Sequence, residues 1–266
     1  DRINDLISAQ QVRTCYTSKA HIRRAVKNSQ GGVQYDYAAW FDQIKIDDAI
    51  RHLFGVRGDT PTALNVLAMG YRPSCQVAQS LTEAISDTGM TSVEVSSCVD
   101  NVLFTGDYHT LQQASRIFLD RCDSVHAIVK DRTENFATRY EFLGEAYDHD
   151  KSTRCLTEKT RAKAQFVVDS ITNRRVFTTR QILAVYGLLF YASEVLRITL
   201  ARFHWSLRFL SSVAGNELEE RHQIPAHVAH ELMTWAKIAS DNQPVAVWTE
   251  RDPQEKADLT IYVDAS

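Results

Sequence analysis

Two carboxylates stand where the surrounding residues are apolar and β-rich: Asp36 in Tyr35-Asp36-Tyr37-Ala38-Ala39-Trp40-Phe41, and Asp100 in Cys98-Val99-Asp100-Asn101. A charge inside such a strand is costly unless it is paired, partly exposed or bound to a cation. Strand carboxylates that converge can hold two Mg²⁺ ions roughly 3.5–4 Å apart, one activating an attacking hydroxyl and one steadying a pyrophosphate leaving group. An Asp beside a turn is also an ordinary turn former or helix cap, and residue type alone leaves both readings open.

The elements around them decide whether the two can meet. Ile22, Ala25 and Val26 fall at helical spacing between Lys19 and Ser29, and Gly31-Gly32 stops that run. From Val33 the pattern predicts a strand running through Tyr35 and Tyr37 toward Trp40-Phe41, then a helical stretch from Asp47 to Phe54. Leu64 to Met69 is a short apolar run closed by Gly70, read as a strand. Ser74 is expected to cap a helix that buries Val77, Ala78, Leu81, Ala84 and Ile85. Strands are expected at Val93–Val95 and Val99–Phe104, followed by a helix carrying Leu111, Ala114, Phe118, Cys122 and Val125. Past Gly144 the composition turns helical. Thr178 to Gln181 fits a capping box, and Pro225 suits the first turn of a later helix. Leu259 to Asp264 alternates like a strand. The expected class is α+β: a sheet with helices, then a mostly helical region.

The chain has 266 residues, 44% hydrophobic and 24% charged, with only 10 Gly and 5 Pro, which excludes disordered and collagen-like classes. A net charge of −3 argues against a whole-domain electrostatic footprint for nucleic acid, so any such contact must use a local basic face. Arg23, Arg24 and Lys27 form one candidate, and the arginines between Arg174 and Arg208 another. Five cysteines, odd in number and without zinc-type spacing, predict a reducing compartment, nucleus or cytoplasm. No membrane span is expected, because the most apolar stretch, Ile182 to Val213, is broken by Glu194, Arg197, Arg202 and Arg208. The opening Asp1-Arg2-Ile3-Asn4-Asp5 is no signal peptide and begins without Met, as an excised segment would.

Taken in order, the segments from Asn4 to Leu143 resemble the palm of reverse transcriptases. Asp36 through Phe41 to Gln43-Ile44 is similar to the first palm motif; Met69-Gly70-Tyr71-Arg72, continuing to Gln79, is similar to the second. Cys98-Val99-Asp100-Asn101 is similar to the third, and Phe142-Leu143-Gly144 resembles the primer grip. Trp40 to Ile44 together with Val99-Asp100-Asn101 most resembles kinetoplastid retroelements of the VIPER type, grouped with tyrosine-recombinase elements.

The resemblance implies an RNA-directed DNA polymerase that takes a primed RNA or DNA template and deoxynucleoside triphosphates and uses Mg²⁺ or Mn²⁺. Asp36, Asp100 and Asn101 would face the metal, and Lys130 would protonate the pyrophosphate. Phe41 would exclude a ribose 2′-OH, while Met69, Gly70, Tyr71, Arg72 and Gln79 would lie against nucleotide or template. It also implies fingers and palm over 1–150, thumb and connection over 151–245, and over 246–266 a linker with the first strand of an RNase H-like domain led by Asp264. The fingers hairpin, with its triphosphate-gripping Lys and Arg, would lie upstream of Asp1. Two departures stand out: Asn101 replaces a usual second Asp, and Cys98 replaces an aromatic residue. Together with the acidic net charge, they motivate the rival expectation of an inactive or domesticated remnant that binds nucleic acid or protein.

Overall fold

The computed structural model describes residues 4, 7–8, 12–56 and 62–247. Helix α1 (Lys19–Lys27) starts where the Ser18 hydroxyl accepts from His21 N–H at 3.1 Å, and it buries Ile22, Ala25 and Val26. Strands β1 (Gly31–Asp36), β4 (Glu94–Cys98) and β5 (Asn101–Gly106) form an antiparallel sheet in the order β1-β5-β4. The outer edge of β1 is met by isolated bridges from Ala137 to Gly32 and from Val129 to Tyr37. Both glycines at the start of β1 are required there. A Cβ on Gly31 would fall 2.5 Å from the Phe136 ring, and one on Gly32 2.9 Å from the Tyr140 ring.

Strand alternation divides this sheet into two faces. Val33, Tyr35, Val102 and Phe104 pack on α4 (Ser74–Ser86) and α5 (Tyr108–Ser124), whose Ala78, Leu111, Ala114 and Phe118 complete one core. Leu103 faces the other way and packs with Ile22 and Val26 of α1 and with Phe142. Asp36, one residue beyond Tyr35, belongs to this second face.

Several local expectations are corrected. The strand stops at Asp36, because Ala39 takes φ +44° and Trp40–Gln43 winds into a single turn, α2. The 64–69 run forms no strand; it is held by one bridge, Lys45 to Val66, beside the two-residue strands β2 (Gly55–Val56) and β3 (Thr62–Ala63). The helical stretch before β2 is one turn, α3 (Asp48–Arg51), and a 3-10 turn. Ser74 does not cap: its hydroxyl donates to Ala68 O at 2.7 Å, tying the preceding loop to α4.

Beyond Phe142 the chain remains β for two more strands. β6 (Arg139–Phe142), β7 (Glu145–Asp148) and β8 (Thr153–Leu156) join β11 (Val245–Ala246) in a sheet ordered β11-β8-β7-β6, which draws strands from both sides of residue 150. The helical region follows: α6 (Glu158–Asn173), α7 (Thr179–Leu196), α8 (His204–Val213) and α9 (Ala226–Asp241), with β9 (Val176–Thr178) paired to β10 (Arg221–Gln223). The capping box at Thr178 and Gln181 is present. Buried Trp235 stacks on Phe203 at 4.6 Å and donates to Ser193 Oγ at 2.7 Å. Among the described residues no helix is long and apolar enough to cross a membrane.

Candidate active site

The third motif is a two-residue hairpin. Cys98 pairs with Asn101, leaving Val99 and Asp100 as the turn, with Val99 at φ +54°. On the other side of β5, Asn101 pairs with Asp36, and Tyr37 N–H donates to Asp100 O at 2.9 Å. The sheet register therefore brings Asp36 and Asp100 to one end of adjacent strands, although they are far apart in sequence. A β-branched residue at positive φ is strained and must be held. Helix α4 does so from below: Gln79 Oε1 accepts from Val99 N–H at 2.7 Å, its amide nitrogen donates to Ser97 Oγ at 2.9 Å, and the Thr82 hydroxyl donates to Val99 O.

The two oxygens of Asp36 differ. Oδ2 accepts from Lys130 Nζ at 2.6 Å, while Oδ1 is buried without a hydrogen-bond partner. Lys130 is aligned by its own backbone, whose N–H donates to Asp36 O at 2.8 Å. Its hydrogen bond to Asp36 holds the ammonium proton above the ordinary lysine range, with the Asp36 and Asp100 charges acting in the same sense. The Asn101 amide nitrogen donates to Asp100 Oδ1 at 2.9 Å. A carboxylate accepts only, which fixes the amide with its nitrogen toward Asp100. Asn101 thus donates to Asp100 through its nitrogen.

The arrangement fits a hard cation. The buried, unpartnered Asp36 Oδ1 and the Asp100 carboxylate at the same end of the sheet are oxygen donors of the kind that Mg²⁺ and Mn²⁺ take, completed in such sites by water and phosphate. The protein donors are few: among the described residues no group of three or more His, Cys, Asp or Glu could hold a metal.

Phe41 lies on α2, half-buried against the core under β1. Gln43 clamps its segment, accepting from Ile128 N–H at 2.7 Å and donating to Ile128 O at 3.0 Å, two residues from Lys130. Met69 is 77% exposed and Gly70 takes φ +93° in the loop entering α4. Tyr71 packs edge-on against Phe54. Exposed Arg72 is held by Asn4, whose Oδ1 accepts its N–H at 2.7 Å, and its guanidinium donates to Ile7 O. Gln79 is corrected: it is buried and its amide is spent on Ser97, Val99 and Glu83, so it positions the hairpin and offers no group to a nucleotide. Phe142 and Glu145 close a second two-residue turn made of Leu143 and Gly144. Asp264 lies outside the described residues.

Sequence reasoning missed Thr82 and Glu145, and gave Gln43 a place in the first motif without its clamp on Ile128. The usable signal was polarity inside an apolar pattern: Thr82 interrupts the buried face of α4, and Glu145 directly follows the grip motif.

No protein-family model and no curated protein matches the sequence. Solved structures do match by fold. A foamy viral protease-reverse transcriptase dRH in complex with double-stranded DNA superposes with a TM-score of 0.64 at 14% identity, over 87% of this chain. The fold is reverse-transcriptase-like. The foamy viral protease-reverse transcriptase with an RNA/DNA hybrid gives 0.62 at 15% identity over 83% of the chain, and its complex with double-stranded DNA gives 0.62 at 15% over 92%. The chain spans 39%, 29% and 49% of the three foamy viral chains respectively.

Proposed function

We propose that this chain is the polymerase segment of a retrotransposon reverse transcriptase, of the VIPER type, acting in the nucleus or cytoplasm on a primed RNA or DNA template. The observation that carries the reading is the register pairing of Asp36 with Asn101, which brings Asp36, with its buried and unpartnered Oδ1, to the same end of adjacent strands as Asp100. In nucleotidyl transfer the primer 3′-oxygen forms a bond to the α-phosphorus, the bond from that phosphorus to the pyrophosphate oxygen breaks, and the hydroxyl proton leaves to solvent. Asp36 and Asp100 would hold Mg²⁺ or Mn²⁺, which supplies charge neutralisation of the phosphates and activation of the 3′-hydroxyl. Asn101 orients Asp100. Lys130, kept protonated by Asp36, would give its proton to the departing pyrophosphate. Phe41 would face the sugar, and the Met69 to Arg72 loop the template and incoming nucleotide.

A second reading, a nucleic-acid- or protein-binding remnant, is favoured by one observation: Lys130 already neutralises Asp36, and Asn101 offers no second charge. Primer extension separates the two. The assay uses an RNA template and Mn²⁺ or Mg²⁺. The polymerase reading expects extension that Asp36→Asn and Asp100→Asn each abolish. A folded, template-binding protein that does not extend, or extension that survives either change, would overturn it.

A further inference from the structure

We propose that Tyr191 and Glu194 of α7 are positioning residues that hold the Phe142-Leu143-Gly144 turn in register with Asp36 and Asp100; this rests on the polymerase reading. The turn itself is strained. Leu143 sits at φ +47° and Gly144 at φ +83°, a pair of left-handed residues that needs outside support when one of them is not glycine. Tyr191 provides it: its hydroxyl donates to Leu143 O at 3.0 Å and lies so close that a Cβ on Gly144 would fall 2.5 Å from it.

The next residue, Glu145, is 1% exposed and holds the end of the turn by charge. Arg23 of α1 grips its carboxylate with Nη2 at 2.8 Å and Nε at 3.2 Å, Tyr147 donates to it at 3.1 Å, and Lys19 stands 3.2 Å away. Glu194 closes the cluster from the helical region, pairing with Arg23 at 2.5 Å and Lys19 at 3.0 Å. Lys19 also lies 4.0 Å above the Tyr191 ring. Tyr191 and Glu194 are one turn apart on α7, so a single helical face reaches both the turn and its anchor.

The linkage continues to the catalytic end of the sheet. Arg23 belongs to α1, whose Ile22 and Val26 pack with Phe142 of β6 and Leu103 of β5. Leu103 is two residues along β5 from Asn101, the register partner of Asp36. A shift of α7 therefore acts on the grip turn directly and on its spacing from Asp36 through one packed helix. Arg154, also buried, fastens the far end of α7 by donating to Val195 O at 3.0 Å and to Val247 O at 2.7 Å.

The test uses two mild variants, because removing Arg23 or Glu145 would leave a buried charge unpaired and threaten the fold. Tyr191→Phe removes one hydroxyl, and Glu194→Gln one partly exposed charge. Steady-state primer extension is expected to show kcat reduced about 10–100-fold, the loss associated with misplacement of a reacting group. KM for the nucleotide should stay within about twofold. Amide exchange at Leu143, Gly144 and Glu145 should quicken, while exchange in the α6 to α9 core stays unchanged. Both variants extending at the parent kcat with unchanged exchange at the turn would overturn the proposal. A parent protein that never extends, with exchange at the turn still quickened in the variants, would sink the polymerase reading and leave the mechanical tie supported.

Discussion

The hairpin that carries Asp100 gives a quantitative handle on how the site is held. Val99 occupies the left-handed region at φ +54°, which costs a non-glycine residue roughly 1–2 kcal/mol. Both of its backbone polar groups are tied to α4, the N–H by Gln79 and the carbonyl by Thr82. Gln79→Leu keeps the volume and removes the acceptor. The Val99 N–H is left without a partner, a loss of about 1–3 kcal/mol, and Ser97 loses a donor whose replacement by another group adds about 1 kcal/mol at most. Leucine regains part of this by burial, so a net destabilisation of about 1–3 kcal/mol is expected. At roughly 2–4 °C per kcal/mol for a chain of this size, Tm should fall by about 2–12 °C. Amide exchange at Val99, Asp100 and Asn101 should accelerate more than exchange in α5. Val99→Gly in the Gln79→Leu background relieves the strain that the clamp opposes, and part of the lost Tm should return. A Gln79→Leu protein that melts within about 1 °C of the parent, with hairpin exchange unchanged, would refute this reasoning.

Three further outcomes follow from neighbouring observations. Asn101→Asp replaces the donor to Asp100 by a like charge, so the metal-free protein should melt lower while Mn²⁺ raises its Tm by more than in the parent; an equal Mn²⁺ response in both proteins would count against the place given to Asn101. His149 donates from Nδ1 to Ser29 O and accepts from Tyr140 at Nε2, and burial pushes its pKa below 6.5, opposed by Ser29 O, Asp150 and Asp148; Tyr140 and Arg139 also face this corner. A lowered folded-state pKa means stability present above about pH 6.5 and lost as pH falls through the folded value, so Tm should drop on acidification and drop less in His149→Gln. Cys15 and Cys75 are exposed and should alkylate first; burial raises the Cys98 and Cys155 thiols, and Cys122, fully buried with its pKa pushed up to about 11, should react only on unfolding, which mass spectrometry of the labelled native protein checks.

What could be read from sequence follows the range of the forces involved. Helices α1, α5 and α7 announce themselves because 3.6-residue periodicity and, for α7, the capping box at Thr178 are short-range features. Asp36 and Asp100 stand out in the sequence because charge in an apolar strand is conspicuous. The end of β1 does not, since Ala39 has no local reason to be left-handed and takes that φ where Gln43 ties the segment to Ile128. Strands β7 and β8 were missed because four residues holding Glu145, Asp148 or Arg154 look like surface until long-range partners neutralise the charges. Lys130 reaches Asp36 across the edge of the sheet, through a bridge between Tyr37 and Val129 that no spacing rule encodes. Gln79 was assigned to a nucleotide because its motif suggested it, whereas the fold spends its amide on the hairpin.

The central claim is that Asp36 and Asp100 form a divalent-cation site. A Mn²⁺ titration followed by thermal melting tests it without requiring turnover. At about 100 times Kd, binding to the native state adds about 2.7 kcal/mol, which in a chain of this size is a rise of about 5–10 °C. The parent protein should show that rise, Asp36→Asn should lose it, and Lys130→Ala, freed of the competing ammonium, should reach it at lower Mn²⁺. A parent with no shift, or an Asp36→Asn variant that shifts equally, would contradict the site.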